Sequence, residues 1–218
     1  MCGGEGSRLD TDAEKPLYPI AGESMVDRVR RALAASRIET TYAVVSPNAP
    51  ETRSHLAESG MALIETPGAG YVPDLATALD DSRVEPPILT VTADLPLLTA
   101  ELVDDVCRAY RARVRTRADD GADASTDDAP RQPSMTVCIP RTLKRHLGVS
   151  AEEAAVVDGL VPTGLNVVGA EPATDDDRSR GTESSRPLVH VLRSAGAVIN
   201  VNRLDDVRIA QRHRGDHR

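Results

Sequence analysis

Ile88-Leu89-Thr90-Val91-Thr92 runs into Ala93-Asp94-Leu95-Pro96, and this stretch sets the fold. An apolar, β-branched run of this length reads as a buried strand. It ends on a carboxylate. Outward from it, strand and helix alternate. Strands are predicted over 42–46, 61–65, 135–139, 165–168, 188–192 and 198–201. Helices are predicted over 24–37, 51–59, 72–80, 99–114 and 204 to about 213. The first helix turns Met25, Val29 and Leu33 inward, with Val26 beside them. Ser24 can cap it, with Asp27 as the acidic box partner. The expected fold is α/β: a Rossmann-like, mostly parallel sheet with helices on both faces. Ligands in such folds lie beyond the carboxyl ends of the strands, which is where Asp94 sits.

The chain has 218 residues and a net charge of −8. That length fits one domain spanning 1–218. Two stretches, 116–133 and 171–186, are rich in Asp, Ser and Gly and read as flexible acidic surface loops. Acidic charge argues against nucleic acid as a partner. No apolar run approaches the roughly 20 residues of a membrane span, and the N-terminus lacks a signal peptide's apolar core. The three cysteines, Cys2, Cys107 and Cys138, suggest no disulfide framework, so a cytoplasmic setting is expected. Cys2 reads as a packing residue. There are 24 arginines but only two lysines, Lys15 and Lys144, and neither Phe nor Trp. Many aspartates with few lysines suggest a halophile, although GC-rich coding also raises Arg. His55, His146 and His190 show no partner in the sequence, and Arg141, Lys144 and Arg145 read as solvated charge on a short helix.

The candidate chemistry begins near the N-terminus, at Gly3-Gly4-Glu5-Gly6-Ser7-Arg8-Leu9, followed by Lys15-Pro16-Leu17. Glycines let backbone N–H groups approach phosphate oxygens. Arg8 adds a planar fork of donors and Lys15 a mobile charge. The spacing matches neither a P-loop nor GxGxxG. A glycine-rich turn with a surface arginine would account for the glycines alone equally well. Asp94 suits Mg²⁺ at a strand end, or equally a turn before proline. Ser46 and Asn48 suit a purine edge, or an ordinary strand-to-helix loop. Gly68, Gly70 and Tyr71 suit a ribose and a stacked ring, or a plain glycine turn. A loop like 3–8 needs a strand to hold it, and little chain precedes it here. The expectation is that the first strand is truncated and that the natural start lies about one strand upstream.

Together the first motif and Thr92-Ala93-Asp94-Leu95-Pro96 resemble the nucleotidyltransferases of the molybdenum-cofactor guanylyltransferase type. Ser46-Pro47-Asn48, Pro67-Gly68-Ala69-Gly70-Tyr71, Asp158-Gly159-Leu160-Val161-Pro162 and Leu165-Asn166-Val167-Val168 look like the archaeal GTP:adenosylcobinamide-phosphate guanylyltransferases. The resemblance implies a sheet of the nucleotide-diphospho-sugar transferase type. It implies transfer of GMP from GTP to adenosylcobinamide phosphate, with release of pyrophosphate, in cobalamin assembly. Arg8, Lys15 and Asp94 would be catalytic, with Asp94 holding Mg²⁺. Gly3, Gly4, Glu5, Gly6, Ser7, Arg8, Lys15, Ser46, Asn48, Gly68, Gly70, Tyr71, Asp94 and Gly159 would bind the nucleotide. Asn166 is a weaker second metal ligand, with structural capping the other reading. GTP and a corrinoid phosphate are the expected partners, and a homodimer is left open. Molybdopterin, a sugar phosphate and GTP binding without catalysis remain as alternatives.

Overall fold

The computed structural model describes residues 1–2, 9, 13–119, 132–149, 158–170 and 188–213. The glycine loop Gly3 to Arg8 lies outside the described residues. So do the middle of the first acidic loop and all of the second.

Lys15–Leu17 forms a single 3-10 turn. A small hairpin follows, β1 (Pro19–Ile20) against β2 (Glu23–Ser24). Its two-residue turn, Ala21-Gly22, has both φ angles positive, at 50° and 86°, as tight hairpins of this hand require. The hairpin has no counterpart among the elements expected from the sequence. Helix α1 (Met25–Ala35) begins as expected: Ser24 Oγ accepts from the Asp27 amide at 3.1 Å and donates to Asp27 Oδ2 at 2.6 Å. Met25, Val26, Val29 and Ala32 are buried. Arg28 is buried as well and donates twice to the Ile20 carbonyl, at 3.1 and 2.8 Å. One guanidinium thereby ties the helix to the hairpin.

The remaining elements are β3 (Tyr42–Val45), α2 (Pro50–Glu58), β4 (Ala62–Glu65), α3 (Tyr71–Leu79), β5 (Ile88–Val91), α4 (Ala100–Asp119), β6 (Met135–Pro140), α5 (Arg141–Leu147), β7 (Leu160–Val168), β8 (Leu188–Val191), α6 (Ala195–Val198) and α7 (Leu204–His213). β3 and β4 pair in parallel. A four-stranded sheet has the order β5-β7-β6-β8. β7 runs antiparallel to β5 and β6, and β8 is parallel to β6. β5, β6 and β8 therefore share a direction that β7 opposes.

Two residues join the two sheets. The Met1 nitrogen donates to the Val91 carbonyl at 2.9 Å, and the Ala93 amide donates to the Met1 carbonyl at 3.3 Å. Such bonds, bracketing Thr92, are the pattern of a parallel ladder. On the other side the Cys2 amide donates to the Val44 carbonyl at 2.9 Å. Beside Met1, on its amino-terminal side, a cavity of about 600 Å³ separates the sheets, lined by Tyr42 to Val44 and by Ile88 to Val91.

The helices cover both faces of this seam. Ala43 and Val45 pack with Cys2, Val26 of α1 and Leu56 of α2. Val44 and Ile64 point the other way, against Ala78 of α3. The largest cluster joins α1, α4, β6, β7 and α7. Strand β7 alternates half-buried and buried residues along its whole length. Full burial of a Val or Leu side chain is worth about 1.5–3 kcal/mol, so a strand packed on both faces gains from every position.

Four expectations change. Residues 198–201 are not a strand. Helix α6 ends at Val198, and Ile199 and Val201 are buried beyond it. The Val201 amide bonds the carbonyl of Asp94, in the loop after β5, and no strand ladder among the described residues includes 198–201. Helix α4 continues to Asp119, into the expected first loop, because Arg and Ala sustain a helix after apolar periodicity ends. β7 begins at Leu160 rather than 165, although it contains Pro162 and Gly164. Lys144 is buried at 4% exposure, not solvated.

The seam predicts a backbone-specific effect. Cys2→Pro removes the N–H that reaches Val44, whereas Cys2→Ala keeps it. Urea unfolding should show Cys2→Pro less stable than Cys2→Ala by about 1–3 kcal/mol. Equal midpoints would show that the bond does not hold the sheets together.

Candidate active site

Asp94 lies just past the carboxyl end of β5, and three groups fix it. Thr92 Oγ1 donates to Asp94 Oδ1 at 2.7 Å. Lys15 Nζ donates to Asp94 Oδ2 at 2.7 Å, with both side chains 18% exposed. The Asp94 carbonyl accepts from the Val201 amide at 2.9 Å. Lys15 Nζ also donates to Asn202 Oδ1 at 2.8 Å. A carboxylate oxygen and an amide oxygen thus converge on one cationic position. The pair is sheltered enough to hold its geometry and open enough for a ligand to reach.

The surrounding residues hold this geometry. Gly164 of β7 has φ +87°, and a Cβ there would lie 2.3 Å from Thr92 Oγ1. Glycine at that position leaves room for the hydroxyl that grips Asp94. Asp206, 1% exposed in the first turn of α7, accepts from the Asn202 and Arg203 amides at 2.9 Å each. This reach back to the helix start follows capping-box logic and sets Asn202 beside Lys15. Glu14, next to Lys15, accepts from the Glu51 and Thr52 amides at 2.8 and 2.7 Å. It caps α2, where orphan N–H groups and the helix dipole favour a carboxylate, and so anchors the segment that carries Lys15.

A second group lies at the ends of β3 and β4. Ser46 is buried, and its Oγ accepts from the Asn48 amide at 3.3 Å. Asn48 Nδ2 donates to the Gly68 carbonyl at 3.1 Å. Tyr71 opens α3, and its Oη lies 3.1 Å from Thr90 Oγ1 on β5 and 3.5 Å from Asn166 Nδ2 on β7. Gly70 is the residue before α3, with φ 116°.

Of the residues expected at the site, Lys15 and Asp94 come into direct contact. Ser46, Asn48, Gly68, Gly70 and Tyr71 gather on the neighbouring loops. Gly3, Gly4, Glu5, Gly6, Ser7 and Arg8 lie outside the described residues. Gly159 stands apart, in the turn before β7, where its carbonyl accepts from the Arg141 amide at 2.9 Å. The Asn166 amide reaches Tyr71; the amide that reaches the Lys15–Asp94 pair is that of Asn202.

Thr92, Gly164, Asn202 and Asp206 were not singled out from the sequence. Asn202 carried one usable signal: it stands four residues before Asp206 at a helix start. His55, expected without a partner, lies 2.9 Å from Asp27 Oδ2. Burial pushes the Asp27 carboxyl up, but the Ser24 hydroxyl and His55 outweigh it and leave Asp27 below its usual range. Cys2 packs in a buried apolar cluster, and burial raises the Cys138 thiol. Among the described residues, no helix is long and apolar enough to cross a membrane.

An α/β fold with a carboxylate, an ammonium and an amide oxygen at its strand ends has the parts of an enzyme that handles nucleotide phosphates. Known proteins agree. A family profile described as "MobA-like NTP transferase domain" matches residues 1–159. The adenosylcobinamide-phosphate guanylyltransferase of Methanocaldococcus jannaschii is 25% identical over 216 residues, 97% of this chain and 93% of that protein. The phosphoenolpyruvate guanylyltransferase of Sphaerobacter thermophilus is 34% identical over 129 residues, 58% of this chain and 60% of that protein. A CMP:2-keto-3-deoxy-manno-octonic acid synthetase solved with CTP shares the fold. Its TM-score is 0.62 at 13% identity, over 100% of this chain and 96% of that one. The protein is a nucleotidyltransferase. It belongs to the MobA-like NTP transferase family.

Thr92→Val removes the Asp94 donor while preserving shape. The expected result is a fall in kcat of about tenfold, since a hydrogen bond to a charged group is worth about 1.5–3 kcal/mol, with little change in melting temperature. Pyrophosphate release and a thermal melt measure the two. An unchanged kcat would remove Thr92 from the site.

Proposed function

We propose that this chain transfers GMP from GTP to the phosphate of adenosylcobinamide phosphate, giving adenosylcobinamide-GDP and pyrophosphate in cobalamin assembly. For the reaction class, the carrying observation is the convergence of Asp94 and Asn202 on the Lys15 ammonium. Support for the acceptor comes from similarity to the Methanocaldococcus jannaschii guanylyltransferase along nearly the full length of both proteins. A cytoplasmic, high-salt setting suits the acidic, lysine-poor composition.

A phosphate oxygen of the corrinoid attacks the α-phosphorus of GTP. The bond from that phosphorus to the α,β-bridging oxygen breaks, and its electrons leave with pyrophosphate. Such transfers need mainly positioning and charge neutralisation. The backbone at Gly3, Gly4, Glu5, Gly6 and Ser7 cradles the triphosphate. Arg8 and Lys15 neutralise it and the leaving pyrophosphate. Ser46, Asn48, Gly68, Gly70 and Tyr71 receive base and ribose. Gly159 does not join this group; it lies in the turn that leads into β7.

Mg²⁺ fits the donor set at Asp94. It commonly takes one or two protein carboxylates and completes its shell with phosphates and water. Among the described residues no cluster of three His, Cys, Asp or Glu could hold a metal, so a site relying on substrate phosphates suits this chain. Asp94 and Asn202 would hold the ion, which neutralises phosphate charge when bound. No protein nucleophile is required.

The second reading keeps GTP and changes the acceptor, and the Sphaerobacter thermophilus relative, named for phosphoenolpyruvate, favours it over its shorter match. Molybdopterin and sugar phosphates belong to the same group. A panel of these acceptors with GTP and Mg²⁺, read by pyrophosphate release, separates them. Turnover is expected with adenosylcobinamide phosphate. Turnover only with another acceptor would overturn the reading. GTP binding without turnover on any acceptor would support a non-catalytic role.

A further inference from the structure

The loop that follows β4 is held by a residue with no part in the proposed chemistry. Asp74, in the first turns of α3, is only 5% exposed. Its Oδ1 accepts from the Gly68 amide at 2.9 Å and the Ala69 amide at 3.2 Å. Gly68 then presents its carbonyl to Asn48 Nδ2. The contact is close: a Cβ at Gly68, where φ is +76°, would lie 2.7 Å from Asn48 Nδ2 and 3.1 Å from the Ser46 Cβ. The chain of contacts runs from a buried carboxylate, through two backbone amides, to an exposed side-chain amide.

That chain sets the direction of the Asn48 amide. One of its two N–H donors is engaged by Gly68, and its oxygen has no hydrogen-bond partner among the described residues. A primary amide held this way offers an acceptor outward. Guanine presents two donors on its pairing edge, the ring N1–H and the exocyclic amino group. Adenine presents one donor on that edge, its exocyclic 6-amino group, beside an acceptor at N1 that an outward oxygen repels, and hypoxanthine keeps N1–H but lacks the exocyclic amino donor. The fixed oxygen can therefore accept from two adjacent donors of guanine but from only one of adenine or hypoxanthine, and that one hydrogen bond of difference sets the preference.

We propose that Asp74 is a positioning residue for base choice. Through Gly68 and Ala69 it holds the Asn48 oxygen outward as an acceptor for the donor edge of guanine. The inference rests on the reading of this site as one for GTP. It adds to that reading the residue that fixes selectivity and the edge of the base that is recognised.

Equilibrium titration with GTP, ITP and ATP tests this without any acceptor substrate. Asp74→Ala should weaken GTP binding about tenfold, the equivalent of one hydrogen bond, and leave ATP binding within twofold. The GTP-to-ATP preference should therefore collapse. Asp74→Asn keeps an acceptor oxygen and should retain most of the preference. Asn48→Ala, which spares the Asp74 bonds, should lose the preference as Asp74→Ala does, so the test stands even if Asp74→Ala fails to fold. A thermal melt of each variant accompanies the titrations. A lowered melting temperature with an unchanged GTP-to-ATP ratio in Asp74→Ala would reduce Asp74 to a structural cap and overturn the inference, as would an unchanged ratio in Asn48→Ala. A wild-type protein with no preference for GTP would overturn the GTP reading and the inference with it. A GTP-selective wild type with insensitive variants would overturn the inference alone.

Discussion

The backbone of Met1 and Cys2 is bonded on both sides, to β5 through Val91 and Ala93 and to β3 through Val44. Nearly everything at the site depends on that strap. Asp94 extends from one of the joined strands, and Ser46 and Asn48 extend from the other. Had the sheets been joined in another register, the Lys15–Asp94 contact and the Asn48–Gly68 contact would not border the same crevice. The apolar clusters on the two faces of β3 reinforce the seam, but burial is non-directional and does not set register. The three backbone bonds do.

Layers of support surround the proposed catalytic groups. Thr92 orients Asp94, Gly164 makes room for Thr92, and Asp206 sets the backbone at Asn202. None of the three needs to touch a substrate. Each removes freedom from a group that would, which is how a site reaches the tolerance that transfer chemistry demands. Lys15 is one of only two lysines in the chain. A compact ammonium on a flexible stem can leave Asp94 for a phosphate, whereas arginine's rigid fork suits a fixed bidentate partner. Its retention in an arginine-rich chain is in keeping with a mobile charge at that position.

Much of this was legible in the sequence because local signals agreed. Ser24 with Asp27 marked the start of α1, and the apolar run at 88–92 marked β5. The Lys15 and Asp94 positions followed from motif and strand end. The missed parts share a physical reason: they depend on contacts between distant segments. Asn202 lies 187 residues from Lys15, and nothing local announces that meeting. Gly164 gave no signal of its own, yet its missing side chain is what the Thr92 hydroxyl requires. The stretch at 198–201 is apolar as a strand would be, but α6 runs into it as far as Val198 and its Val201 amide bonds the Asp94 carbonyl. Lys144 was expected in water because charge usually is, and its burial is a property of the packed α5.

The most direct test of the account is a crystal structure with Mg²⁺ and a non-hydrolysable GTP analogue. The account predicts the triphosphate beside Lys15, the ion on Asp94 and Asn202, and the guanine against Asn48 and Gly68. A nucleotide bound in the cavity beside Met1, or anywhere that leaves Lys15 and Asp94 touching neither phosphate nor ion, would contradict it.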